Sequence, residues 1–178
     1  MSEPQPVDPE IAAATLNLHL TQFFEHGRGS GAGWERFNVD PLHAVVRVPA
    51  TRGDGTQDHY FLRIGAEYYD VWPPRAEFVR PVEGGGWADP TSTSRWWPRQ
   101  QNQPNFSFGL DHDRHYSDGS TRQLLCFSHS FDYYITGHNP TEDERWRQGT
   151  HTVSATLNRV ATVLTAPNYL GPSGDNDS

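Results

Sequence analysis

The chain has 178 residues and a formal net charge of −8, with 34% hydrophobic and 12% aromatic residues. This length predicts one domain whose core depends on aromatic packing. The negative charge argues against binding to nucleic acid, which needs a basic patch, and against binding to an anionic membrane surface. No apolar run reaches the roughly 20 residues of a membrane span, and the N-terminus lacks the features of a signal peptide. With a single cysteine in addition, we expect a protein of the reducing cytoplasm.

The first predicted element is a helix. Residues 1–7 are polar and rich in proline, and we expect them to be flexible. Asp8 can accept hydrogen bonds from free N–H groups of a first helical turn, and Pro9 suits the first helical position. Apolar residues then recur at helical spacing until Gly27, which is a common residue after a helix. The pattern predicts a helix over residues 9–26.

Four stretches of alternating β-branched and aromatic residues follow this helix, and turn residues separate them. Such alternation is typical of half-buried strands. The four stretches are residues 34–39, 44–48, 60–64 and 75–79. Because two consecutive prolines fit neither a helix nor a central strand, Pro73 and Pro74 indicate an extended entry into the fourth strand. The pattern predicts a four-stranded antiparallel meander.

The next stretch, residues 81–105, is rich in Gly, Pro, Ser, Trp and Gln and predicts a long loop. Long loops are uncommon in compact domains unless they serve a function. We expect Trp87, Trp96 and Trp97 to pack this loop against the core, and favour this role over stacking on a ligand.

Two helices are predicted in the C-terminal third. Thr141 and Glu144 form a capping box, which indicates the start of a short helix. After Thr150, apolar residues recur at helical spacing and form one face of a longer helix that ends before Pro167. Residues 171–178 predict a disordered acidic tail.

Cys126 is the only cysteine in the chain. It therefore cannot form an intrachain disulfide or a cysteine-rich zinc site. Its apolar neighbours suit a buried thiol, since free cysteine is among the most buried residue types. A reactive thiol that acts as a nucleophile is the alternative.

Three polar residues close to Cys126 in sequence are candidates to assist it. His115 and His129 could lower the pKa of the thiol or orient its loop, although a structural role is open for both. Asp118 could deprotonate an incoming lysine. Its position before Gly119 is also a strong turn signal, and we favour the turn.

The order of these elements, together with three local motifs, resembles the ubiquitin-conjugating enzymes. Residues 69–78 are similar to the family signature Tyr-Pro-x-x-Pro-Pro-x-x-x-Phe. Leu125 and Cys126 are similar to its active-site element. Trp146, the apolar helix and Pro167 are similar to its C-terminal segment.

The residues before the cysteine depart from the eukaryotic pattern. His115 matches the histidine of the family's His-Pro-Asn motif, but no asparagine follows at the third place. The run from His115 to Gly119 resembles the bacterial ubiquitin-conjugating-like branch instead. Which group stabilises the oxyanion is therefore open, and Asn139 is one candidate.

The resemblance implies an α+β fold over residues 8–170, with an N-terminal helix, a four-stranded antiparallel meander, an active-site loop and C-terminal helices. It implies an enzyme that carries a ubiquitin-like protein as a thioester on Cys126 and transfers it to an amine. The catalytic residues would be Cys126, His115, Asp118 and His129. The partners would be the ubiquitin-like protein, an activating-enzyme-like protein and a protein acceptor, without a cofactor.

Two other functions stay open. The same fold with a buried Cys126 would bind a ubiquitin-like partner without catalysis. A Cys-His hydrolase would need a histidine within hydrogen-bond reach of the thiol and a third group to orient that histidine. We do not expect a metal site, because the spacing of His112, His115, His129 and His138 matches no zinc signature.

Overall fold

Helix α1 (Pro9–His26) occupies the predicted range. In the computed structural model, which describes residues 4–101 and 109–177, one carboxylate oxygen of Asp8 accepts hydrogen bonds from the backbone N–H groups of Glu10 and Ile11, at 3.0 and 3.2 Å. Pro9 takes a first-turn position whose N–H would have no helical partner. The apolar stripe of the helix is buried and consists of Ala12, Leu16, Leu20 and Phe23. The predicted first helix is confirmed.

An antiparallel sheet of five strands follows α1 and a short 3-10 helix (Arg28–Ser30). Its strands are β1 (Glu35–Asp40), β2 (His43–Thr51), β3 (Gln57–Gly65), β4 (Arg75–Pro81) and β5 (Trp87–Ala88). They pair in chain order, so the sheet is a meander. The four predicted strands are confirmed, and β5 adds a fifth from the region predicted as a loop.

Two further pairs of strands complete the fold with two helices. Strand β6 (Pro98–Gln100) pairs with β9 (Tyr169–Pro172), and β7 (Gly109–His115) pairs with β8 (Thr121–Cys126). The helices are α2 (Phe131–Ile135), which lies between β8 and α3, and α3 (Val153–Val163), which precedes β9. No helix in the described part of the chain is long and apolar enough to cross a membrane.

The predicted α+β ubiquitin-conjugating fold is wrong. Strands predominate, in a curled five-stranded sheet and two strand pairs, and the described residues form three α-helices of 18, 5 and 11 residues. The longest helix lies near the N-terminus. The C-terminal part holds the single helix α3 followed by strand β9, where a set of helices was expected.

The short helix predicted at the capping box is absent from this structure. Backbone N–H groups of Glu144 and Arg145 both bond to the carbonyl oxygen of Thr141 at 3.1 Å, which closes one turn. Pro140 precedes this turn and Gly149, with φ of +72°, follows closely. A favourable start does not by itself offset the free energy of helix nucleation, which a short helix recovers through tertiary contacts.

The segments predicted to be loose at each end contact the fold where they are described. The backbone N–H of Val7 donates to the carbonyl oxygen of Glu67 at 2.8 Å, and that of Arg95 donates to the carbonyl oxygen of Asn176 at 2.8 Å. Residues 1–3 and 178, and residues 102–108 of the predicted long loop, lie outside the described residues.

The sheet has two different faces. One packs against α1 and α3 and forms the main core, with residues such as Val46, Leu62 and Leu157 fully buried. The other carries a smaller aromatic cluster, in which the rings of Trp87 and Trp96 lie 4.8 and 5.4 Å from the ring of Phe61. The predicted packing role of these two tryptophans is confirmed.

The second face also carries a closed ring of four charges. The guanidinium group of Arg63 contacts Glu77 at 2.6 Å and Asp89 at 3.1 Å, and that of Arg122 contacts the same two carboxylates at 3.2 and 2.9 Å. Because Arg63 lies on β3, Glu77 on β4 and Arg122 on β8, the ring attaches the β7–β8 hairpin to the sheet.

Tyr69 connects the two main helices through its hydroxyl group. This oxygen accepts the backbone N–H of Val153, the first residue of α3, at 2.8 Å. It also lies 2.6 Å from Nδ1 of His19 on α1. Because the hydroxyl oxygen accepts from Val153, its own hydrogen is free for His19, whose pKa is lowered by burial.

Replacing Tyr69 with phenylalanine should lower the free energy of unfolding by about 1–3 kcal/mol, because the buried N–H of Val153 loses its acceptor. Urea denaturation measures this difference. Tyr68→Phe is the matched control, since the Tyr68 ring stacks on Phe131 at 4.1 Å and its hydroxyl has no hydrogen-bond partner among the described residues. The control should change stability by less than about 0.5 kcal/mol. Equal losses in the two variants would contradict the role of the Tyr69 hydroxyl.

Candidate active site

Cys126 is the last residue of β8 and lies at the edge of the main core. The preceding residue, Leu125, is buried in that core, and Cys126 itself is 8% exposed. Burial raises the pKa of the Cys126 thiol. The thiol is therefore protonated at neutral pH, and its reaction as a nucleophile requires a base that removes the proton.

A histidine lies within reach of the thiol. Nε2 of His138 is 3.4 Å from Sγ of Cys126. The position of His138 follows from the chain reversal after α2, where Gly137 adopts φ of +83°. Glycine takes this left-handed conformation without a steric cost, and it is the common residue after a helix end. The reversal folds the His138 ring back onto Tyr133 of α2, with ring centroids 4.6 Å apart and an angle of 22° between the planes.

Thr136 determines which nitrogen of His138 carries hydrogen. Its hydroxyl donates to the backbone carbonyl oxygens of Asp132 and Tyr133, at 2.8 and 2.9 Å. The same oxygen lies 2.8 Å from Nδ1 of His138. Because a threonine hydroxyl has one hydrogen and the two nearby carbonyls can only accept it, the geometry favours Nδ1 as the donor to Thr136. In the neutral ring Nε2 is then unprotonated and faces Sγ of Cys126.

Cys126, His138 and Thr136 have the geometry of a nucleophile, a base and a group that orients the base. This is the arrangement by which cysteine and serine enzymes activate a weak nucleophile. The imidazole can take the thiol proton as the sulfur attacks and return it to a leaving group. The site can therefore support the formation and breakdown of a thioester.

Asp132 anchors the helix that carries this arrangement. Its carboxylate is 3% exposed and lies 3.6 Å from Nε of Arg75 and 3.5 Å from Nη1 of Arg114. Burial raises the pKa of the Asp132 carboxyl, and the nearby charges of Arg75 and Arg114 only partly oppose this rise. Since Arg75 lies on β4 and Arg114 on β7, the contacts attach α2 to the sheet and to the hairpin.

A groove of about 680 Å³ is lined in part by other residues of the segment that holds His138, and neither Cys126 nor His138 is among the residues that line it. Aromatic side chains from three segments line it, among them Trp72, Tyr134 and Trp146. Ile135 and Asn139, on either side of the segment that holds Thr136 and His138, also line it. Large concave surfaces with aromatic walls and a few polar groups are typical binding sites.

His115 and Asp118 lie at the other end of the β7–β8 hairpin. His115 pairs with Thr121, whereas Cys126 pairs with Gly109. Thr121 and Cys126 are five positions apart on β8, which is about 17 Å at the rise of an antiparallel strand. The structure therefore does not bring His115 to the thiol, and the His115 ring instead contacts the Thr121 hydroxyl at 2.8 Å.

Asp118 shapes the turn of the same hairpin. Its Oδ1 accepts hydrogen bonds from the backbone N–H and the hydroxyl of Ser120, at 2.8 and 2.6 Å. These bonds lower the pKa of Asp118. Gly119 takes φ of +83° in the same turn. This is the geometry expected of the favoured turn role.

His129 lies close to Cys126 in sequence but its ring packs elsewhere. The ring centroid is 6.1 Å from that of Trp146 and 5.1 Å from that of His151. Burial, ahead of the charges of His151 and Arg159, lowers the pKa of His129 to about 4. The carbonyl oxygen of His129 accepts a hydrogen bond from the Thr156 hydroxyl of α3 at 2.7 Å. These contacts support a structural role.

His138 was missed as a partner of Cys126 because the two are 12 positions apart, with an unpredicted helix between them. The signal in the sequence is Gly137, which marks a reversal, with Thr136 and His138 on either side of it. Among the side chains that the structure describes, no group of three or more His, Cys, Asp or Glu residues is placed to hold a metal ion.

We predict that neutral His138 carries its hydrogen on Nδ1, and that Thr136→Val shifts the tautomer equilibrium towards Nε2–H. Loss of a hydrogen bond of about 1 kcal/mol corresponds to about a fivefold change in this equilibrium. Nitrogen-15 NMR of the imidazole rings near pH 8 measures it, with the exposed His26 as an internal reference that the substitution leaves unchanged. Nε2–H on His138 in the wild type would contradict the assignment.

The lowered pKa of His129 predicts a loss of stability in acid. Between pH 6.5 and about 4 the unfolded chain binds a proton at this residue and the folded protein does not. The free energy of unfolding therefore falls as the pH decreases through this interval. In urea denaturation at a series of pH values, His129→Gln should show a shallower decrease than the wild type. Equal slopes would show that the burial of His129 does not contribute.

No protein-family model matches the chain, and no curated protein sequence matches it either.

Proposed function

We propose that the protein is a cysteine-dependent acyltransferase that carries an acyl group as a thioester on Cys126. The observation that carries this proposal is the 3.4 Å contact between Sγ of Cys126 and Nε2 of His138. A buried, protonated thiol has little reactivity by itself, and this contact supplies the base that it needs.

The reaction has two balanced steps. In the first, Sγ attacks an acyl carbonyl carbon while its proton moves to Nε2 of His138. The carbonyl π electrons move to the oxygen, and the resulting oxyanion then collapses and expels a leaving thiolate or alkoxide, which takes the proton from Nε2. In the second, an amine attacks the thioester carbonyl carbon and loses a proton to Nε2 of His138. The C–S bond then breaks to give an amide, and the departing Cys126 thiolate takes the proton from Nε2 and is a thiol again.

The acyl donor in this proposal is the carboxyl terminus of a ubiquitin-like protein, delivered by an activating-enzyme-like protein and passed to an amine of a protein acceptor. The support for this donor is limited to the local motifs at residues 69–78 and at Leu125 and Cys126. The fold expected from the same resemblance is wrong and gives no support. The groove lined by Trp72, Tyr134 and Asn139 offers a binding surface for such a partner, partly on the segment of the chain that holds His138. A reducing compartment such as the cytoplasm suits a thiol that must stay free.

A binding module without catalysis is the second candidate, and the small exposed fraction of Cys126 favours it. In that case the groove would bind a ubiquitin-like partner, and the thiol would only fill space. The two candidates differ in a single measurable property, which is whether Cys126 becomes acylated.

Incubation with p-nitrophenyl acetate should release a burst of one p-nitrophenolate per protein and add one acetyl group to Cys126, as seen in the intact mass. The ester is small enough to reach a thiol of low exposure. Cys126→Ala should abolish the burst. His138→Ala should slow acylation by roughly 10²–10⁴-fold, because the general base is lost. His26→Ala, at an exposed histidine of α1, is the matched control and should leave the rate unchanged.

His115→Ala separates the structural assignment from the assignment by resemblance. If His115→Ala slows acylation and His138→Ala does not, the Cys126–His138 pair is contradicted. Faster loss of the acetyl group on addition of free lysine indicates transfer to amines, whereas a rate independent of lysine indicates a hydrolase. If the wild type is not acylated, the result supports the binding module.

The donor requires its own experiment, with a purified ubiquitin-like protein, its activating enzyme and ATP. Wild type should form an adduct that a thiol reductant removes, and Cys126→Ser should form an ester adduct that resists the reductant. In one outcome, the activating enzyme carries the ubiquitin-like protein but transfers none of it, while p-nitrophenyl acetate still acetylates Cys126. This outcome would contradict the donor alone.

A further inference from the structure

Thioester formation on Cys126 creates a negatively charged oxygen that needs a hydrogen-bond donor. Hydrogen-bond donors aimed at this oxygen commonly make the largest single contribution to the rate enhancement of acyl transfer. Neither ring nitrogen of His138 can be this donor. Nδ1 is bound to Thr136, and Nε2 exchanges the reacting proton with the thiol. The donor must therefore be another side chain or a backbone N–H close to the Cys-His pair.

Tyr133 lies directly on this pair. Its ring stacks on the His138 ring with 4.6 Å between centroids, and His138 in turn reaches Sγ of Cys126 at 3.4 Å. The backbone of Tyr133 is held in place, because its N–H donates to Ser130 and its carbonyl oxygen accepts from Thr136. Stacking and the helix together fix the Tyr133 ring against the His138 ring.

The hydroxyl group of Tyr133 makes no hydrogen bond to the residues that the structure describes, and the side chain is half-buried. By contrast, the neighbouring Tyr134 uses its hydroxyl to accept the backbone N–H of Trp146 at 2.9 Å. Asn139, the amide candidate from the sequence, is exposed on the wall of the groove.

The electrostatics of Tyr133 agree with a place beside the sulfur. Burial first, and then the charge of an ionised Cys126, raise the pKa of Tyr133. The phenol therefore keeps its hydrogen at neutral pH, and a negative charge that develops at the thiol is close enough to affect it.

We propose that the Tyr133 hydroxyl donates the hydrogen bond that stabilises the oxyanion during acyl transfer on Cys126. This inference rests on the proposed acyl transfer. The phenol keeps its proton throughout: it binds the oxygen as negative charge develops and releases it when the carbonyl re-forms.

Tyr133→Phe tests the proposal with two reactions of the same thiol. Acylation by p-nitrophenyl acetate passes through an oxyanion, whereas alkylation by iodoacetamide displaces iodide at a saturated carbon and forms none. Because the phenylalanine ring keeps the stack on His138, alkylation should proceed at the wild-type rate. Acylation should slow by roughly 10²–10³-fold, as for loss of other oxyanion donors.

Tyr116→Phe is the matched control, because Tyr116 is another half-buried tyrosine but lies in the turn at the far end of the hairpin. It should leave both rates unchanged. Incorporation of 3-fluorotyrosine at position 133 provides a second variant, in which the more acidic phenol should accelerate acylation without changing alkylation.

Three results would overturn the inference. Unchanged acylation in Tyr133→Phe would exclude the hydroxyl as a donor. An equal loss in acylation and alkylation would show that Tyr133 acts by positioning His138. A wild type that iodoacetamide alkylates but p-nitrophenyl acetate does not acylate would instead contradict the acyl transfer itself, and the role of Tyr133 with it.

Discussion

The position of the candidate site depends on the ring of four charges between the sheet and the β7–β8 hairpin. Arg63 and Arg122 each contact both Glu77 and Asp89, so each carboxylate lies between two cations. Glu77 has a side chain only 8% exposed, and loss of one partner from a buried pair typically costs about 3–5 kcal/mol. Such a ring contributes more to where the hairpin lies than to net stability, because desolvation offsets most of its Coulomb energy.

Both halves of the Cys-His pair are fixed by charges on the same side of the molecule. The ring positions β8, which ends at Cys126, and the contacts of Asp132 with Arg75 and Arg114 position α2, which leads to His138. The distance between thiol and imidazole is therefore determined by ion pairs between strands and helix. Hydrogen bonds around Thr136 then favour the His138 tautomer that carries hydrogen on Nδ1.

Much of the secondary structure could be predicted because its causes are local. Helix α1 has its cap and apolar stripe within one stretch of chain, and β1 to β4 show their alternation within a few residues. The fold as a whole was predicted wrongly, because β6 pairs with β9 across some 70 residues and no local pattern records such a partner. The helix predicted from the capping box at Thr141 is absent for a related reason. A favourable start does not supply the tertiary contacts that sustain a short helix.

The sequence by itself determined that one thiol is available, that several histidines could serve it, and that Asp118 and Gly119 make a turn. Only the tertiary structure decided which histidine reaches the sulfur. A strand moves consecutive residues apart by more than 3 Å each, so the hairpin carries His115 away from Cys126. A helix end followed by a glycine in the left-handed conformation reverses the chain, and it brings His138 back to the sulfur from 12 positions further on.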